Sequence, residues 1–63
     1  MASASYWIAQ QTPHGEVLQW MWNCESCPAA GLATSEPDVV RDMNAHQAEA
    51  HPDAGYAAPP IPE

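Results

Sequence analysis

The chain has 63 residues with three Trp, two Tyr, three Met and no Phe, and much of its 46% hydrophobic content is alanine. A chain of this length forms one domain whose core is too small to stand without a disulfide, a metal or a partner. Eight Asp plus Glu against a single Arg and no Lys give a formal net charge of -7, which disfavours phosphate backbones and anionic lipid surfaces and favours basic partners.

No apolar run approaches the length of a membrane span, and no basic, apolar leader opens the chain. A soluble, cytoplasmic protein is the expectation. Met1 to Ser5 (1–5) is small and polar and reads as a flexible N-terminus. Tyr6 to Gln11 reads as a strand. Thr12-Pro13-His14-Gly15 reads as a turn, because Pro presets one backbone angle and Gly tolerates a positive one. His14 is read as a turn residue only. Glu16 to Trp22 reads as the second strand of a hairpin, with Leu18, Trp20 and Trp22 on one face and Val17, Gln19 and Met21 on the other.

Asn23 to Pro28 is a polar knuckle, and a short third strand is expected around Leu32. Ser35 reads as a helix N-cap, its hydroxyl accepting from the backbone at Asp38, with Pro37 in the first turn where no donor is lost. At about 100° per residue, Val39, Met43, His46 and Ala50 fall within about 60° of arc and form the expected core face. Asp38, Asp42 and Glu49 form a separate acidic stripe. Pro52 disfavours helical geometry at His51, so the helix should stop there. Residues 53–63, with Pro59-Pro60-Ile61-Pro62, read as a disordered Pro-rich tail, which leaves 6–52 as the domain.

The chemistry-bearing pattern is Cys24-x2-Cys27, then 18 residues, then His46-x4-His51. Two residues between cysteines let a turn aim both sulfurs at one centre, and two thiolates with two imidazoles satisfy zinc tetrahedrally. A five-residue step leaves about 140° of mismatch on an ideal helix, so His51 has to leave the helix to reach the same centre. The stop imposed by Pro52 allows that. Glu49 is a poorer ligand, since a site with two thiolates prefers imidazole to carboxylate. A redox role for the cysteines would need a larger βαβ framework than this chain supplies. Four protein ligands leave no coordination position for water, so an enzyme is not expected.

This arrangement resembles a C2H2 zinc finger over Val17 to His51. Beyond the ligands, Trp22 stands two residues before the first Cys, Met43 stands three before the first His, and the second His closes the helix. The central gap is longer than usual and lacks the expected aromatic, a space that Leu32 or a hairpin tryptophan could fill. The resemblance implies a small α+β domain, a β-hairpin plus one C-terminal helix around a structural Zn2+. The composition also resembles that of short zinc-finger-type proteins of high-GC actinobacteria and their phages, which implies host cytoplasm or a virion as the location.

In such a finger the base-reading positions fall on Val39, Asp42 and Ala45. Only Asp42 suits a base edge, by accepting from cytosine, and Arg41 is the only cation for phosphates. Nucleic-acid binding is therefore not expected. The leading expectation is a protein-interaction module, a phage or bacterial accessory protein engaging a basic host or virion protein, with Trp7, Trp20, Asp38, Asp42 and Glu49 as candidate partner-binding residues. A DNA-binding regulator of the C2H2 type and an acidic DNA-mimic inhibitor are the alternatives.

Overall fold

The computed structural model describes residues 3–62 and contains three strands and one helix in the order β1 (Ala4–Gln11), β2 (Val17–Cys24), β3 (Ala30–Ala33) and α1 (Glu36–Ala50). The strands form an antiparallel sheet in the order β1-β2-β3, and α1 packs against one face of it. This is a small α+β, zinc-finger-like domain. Of the segment expected to be flexible, Met1 and Ala2 lie outside the described residues, while Ala4 and Ser5 belong to β1 and pair with Cys24 and Asn23.

The hairpin turn closes through short-range hydrogen bonds. The Thr12 amide donates to the Glu16 carbonyl at 2.8 Å, the Gly15 amide donates to the Thr12 carbonyl at 3.0 Å, and the Glu16 amide donates to Thr12 Oγ1 at 3.0 Å. Gly15 sits at φ 91, the left-handed region where a side chain would be strained. The register runs regularly from Ala4↔Cys24 to Ile8↔Trp20 and then breaks, with Gln10↔Gln19 and Gln11↔Val17 following. Ala9 and Leu18 are the extra residues at these irregularities. Leu18, expected beside Trp20 and Trp22, stands at this break and is 48% exposed.

Alternation decides the two faces of the sheet. Ala4, Tyr6, Trp20, Trp22, Cys24 and Ala33 join the core under the helix. Trp7, Met21 and Leu32 are register partners across the three strands and make a cross-strand apolar row on the opposite face.

The helix is entered as its sequence predicts. Ser35 is the N-cap with extended backbone, and its hydroxyl accepts from the Asp38 amide at 3.3 Å. Its core face differs from the expectation. Val39, Val40, Met43 and Gln47 are buried, whereas Ala50 is exposed and His46 is half-buried. The buried arc is rotated so that His46 sits at its edge, from which the imidazole reaches sideways to the knuckle, and Gln47 takes the inward position. Leu32 is 55% exposed and fills no core space; the 7% exposed Trp22 does.

Past the helix, residues 53–62 carry neither helix nor strand. Two side-chain hydrogen bonds join them to α1 among the described residues. The Tyr56 hydroxyl donates to Asn44 Oδ1 at 2.8 Å, and Asn44 Nδ2 donates to the Pro59 carbonyl at 3.3 Å.

Candidate metal centre

Three elements supply the four donors. Cys24 is the last residue of β2, and Cys27 lies in the bend that follows. The bend is held by the Cys24 amide on the Ala29 carbonyl at 2.9 Å, the Ala29 amide on the Cys27 carbonyl at 2.8 Å and the Glu25 amide on the Ser3 carbonyl at 2.9 Å. The Ser3 hydroxyl also donates to the Glu25 carboxylate. His46 projects from the last full turns of α1. His51 is the C-cap, at φ -133 and ψ 53, with its amide on the Gln47 carbonyl at 2.9 Å. Leaving helical geometry at this residue brings the second imidazole round to the first, and the two rings meet edge-on, 5.5 Å apart at 75°.

The donor atoms of Cys24, Cys27, His46 and His51 all lie within 4.8 Å of one another. Cys24 Sγ is 3.6 Å from Cys27 Sγ and 3.5 Å from His51 Nε2, and Cys27 Sγ is 3.3 Å from His46 Nε2. Both thiols are free. Zinc bond lengths in a regular tetrahedron require roughly 3.8 Å between two sulfurs and roughly 3.6 Å between sulfur and nitrogen. These three edges lie within a few tenths of an ångström of those values, and the remaining pairs lie within 4.8 Å, so the four donors are gathered closely enough to converge on a four-coordinate metal.

The two sulfurs stand in different surroundings. Cys24 is 3% exposed. Burial pushes its thiol up, but donation from the Gln47 amide, from the Ser26 backbone, and from the Cys27 thiol and backbone outweighs it and holds the group at about 6. Cys27 is half-buried; burial and the neighbouring Cys24 sulfur push its thiol above its ordinary value. One thiolate is thus prepared by the fold, while the other needs a cation to form readily.

Trp22 forms one wall of the centre, its ring 5.2 Å from that of His46. Gln47 is the residue beside the centre that spacing did not single out. It is 1% exposed, and its Nε2 donates to Cys24 Sγ at 3.1 Å. Its place four residues after Met43 and seven after Val40 was the available signal.

The candidate partner-binding residues do not converge on one surface. Trp7 is 43% exposed on the face away from the helix. Trp20 lies on the opposite face, packed against the core with its ring 5.9 Å from that of Tyr6. Asp38, Asp42 and Glu49 are exposed on α1, and Asp38 is bonded to Arg41 at 3.1 Å. Tyr6 ties β1 to the helix start through Glu36 Oε1 at 3.4 Å; burial, then the Glu36 charge, raises its hydroxyl. Among the described residues, no helix is long and apolar enough to cross a membrane.

No protein-family model matches the chain, and no curated protein or solved structure matches it either. The likeness to a C2H2 finger therefore rests on the four-donor site and on the order of strands, knuckle and helix around it.

Proposed function

We propose that the chain is a zinc-stapled protein-interaction module in which Cys24, Cys27, His46 and His51 hold a structural Zn2+. The observation that carries the metal reading is the gathering of two sulfurs and two imidazole nitrogens within 4.8 Å of one another, three of their contacts being 3.3–3.6 Å. Zinc is the natural occupant of two thiolates and two imidazoles. Bound there, the ion ties the knuckle after β2 to the end of α1. With every position taken by a side chain, no site remains for a reacting water, which supports a structural rather than a hydrolytic role.

The interaction reading draws on the surface. With Arg41 engaged by Asp38, the net charge of -7 has no free cation to set against it, and Asp42 and Glu49 stand exposed on the helix. That charge favours a basic protein surface over nucleic acid. Trp7 and Leu32, 43% and 55% exposed, add apolar contact area on the other side of the sheet, and aromatic side chains commonly anchor interfaces.

Two measurements test this. Elemental analysis of protein prepared without added metal should find one zinc per chain, and cobalt substitution should give a tetrahedral spectrum with thiolate charge transfer. A host-lysate pull-down should recover a basic protein with the wild type and lose it with D38N/D42N/E49Q. Salt-sensitive binding of random duplex DNA by the pure protein would replace the interaction reading with that of a DNA-binding regulator.

A further inference from the structure

Gln47 touches the metal centre twice. Its side-chain amide donates to Cys24 Sγ at 3.1 Å, and its backbone carbonyl accepts the His51 amide at 2.9 Å. Cys24 and His51 are themselves 3.5 Å apart, so one residue holds the sulfur and the imidazole of one edge of the cluster. The cost of this placement is visible. Gln47 is the buried polar side chain of the core, and its Oε1, also buried, has no hydrogen-bond partner among the described residues. A buried, unpaired amide oxygen costs free energy that leucine at the same position would avoid. The amide is offset only if the sulfur it faces is a strong acceptor, which a thiolate is and a neutral thiol is not.

We propose that Gln47 is a positioning residue for the metal centre, and that its amide makes Cys24 the retained thiolate and Cys27 the sulfur at which the centre opens. The inference rests on the reading of the cluster as a zinc site. Donation to Cys24 Sγ draws off part of the thiolate charge and lowers its nucleophilicity. The bond also holds the sulfur within reach of the ion when a competing chelator approaches. Cys27 Sγ accepts from no side-chain amide among the described residues; it donates to Cys24 Sγ and faces His46 Nε2, and it is the more accessible of the two. Partners of this kind in metal sites change affinity by about 10–100-fold when removed.

The test begins with the zinc-loaded wild type, titrated with a chelator in the presence of iodoacetamide and read by peptide mapping. A freed thiolate displaces iodide and forms the S–C bond, marking which sulfur left the metal. Cys27 should be modified before Cys24, and modification of Cys24 first overturns the inference whether or not any variant folds. The second measurement compares Q47L, which keeps the volume and removes the donor, with Q47E, which sets a carboxylate beside the sulfur. Both should bind zinc about 10–100-fold more weakly, Q47E the more so, and Q47L should lose the order of modification. Unchanged affinity and unchanged order in folded Q47L would overturn the role of Gln47. A wild type without zinc fails the metal reading itself, and elemental analysis identifies that case separately.

Discussion

The indole of Trp22 lies over Gly31, in the space that any side chain at residue 31 would enter. A Cβ there would come within 2.8 Å of Trp22 Cε2 and closer still to Nε1. Trp22 is register partner to Gly31 and packs its ring against His46, so the absence of a side chain at residue 31 sets where the His46 imidazole can stand. Replacing Gly31 with alanine should push the indole off the strand and cost about 1–3 kcal/mol of stability, as overpacking of a tight core does. Urea unfolding of the zinc-loaded variant, with a shifted tryptophan emission, checks it. A G31A protein of wild-type stability would show that the indole moves aside freely.

Metal removal should unfold the domain. The fully buried large side chains are Val39, Val40, Met43 and Gln47, too few to hold a chain of 63 residues without help. Structural zinc supplies roughly 10–16 kcal/mol of apparent binding free energy at neutral pH. Chelation should therefore abolish the near-ultraviolet tryptophan signal, and added zinc should restore it. A signal that persists in metal-free protein would show that packing alone suffices.

Acid should release the metal, and the direction follows from the two thiols. The Cys24 thiol is lowered to about 6, so its thiolate contributes stability above the ordinary thiol range and loses it as pH falls through about 6. Cys27, pushed up, acts in the opposite sense in the absence of a cation, contributing below the ordinary range and losing that as pH rises through its own value. Zinc takes the place of the proton on both sulfurs, so the loaded domain should keep its metal at neutral pH and release it at or below about 6. A chromophoric zinc indicator followed during acidification reads the midpoint directly. Release centred above neutrality would contradict the Cys24 assignment.

The segment after the helix should be anchored at one point. Tyr56→Phe removes the bond to Asn44 and should cost about 0.5–1.5 kcal/mol, with no change in the cobalt spectrum of the metal centre. Limited proteolysis should cut the variant within residues 53–58 faster than the wild type. Equal cutting rates would mean that the Tyr56–Asn44 contact does not restrain this segment.

Local chemistry made much of the molecule legible before any coordinates. A hydroxyl at Ser35, Pro37 behind it and Pro52 after His51 define both ends of the helix, because capping and proline geometry act within a few residues. Gly15 beside Pro13 defines the turn for the same reason. The candidate donor set was legible because the donor types and short gaps are what tetrahedral coordination demands, and the structure brings the four donor atoms within 4.8 Å of one another.

The orientation of α1 about its own axis was not legible. Periodicity alone set His46 and Ala50 on the core face, yet contact with the sheet turned Val40 and Gln47 inward and left Ala50 outside. The rotation of a helix is decided by what lies beneath it, here the Trp22 indole seated on Gly31 from two other strands. The same holds for Trp7 and Trp20, which face opposite sides of the sheet because strand pairing and its irregularities fix their directions. Short-range stereochemistry and donor chemistry thus specify where the elements begin and end and which four atoms can share an ion. Long-range packing chooses which face is buried, and so which neighbour, Gln47, comes to rest against the Cys24 sulfur.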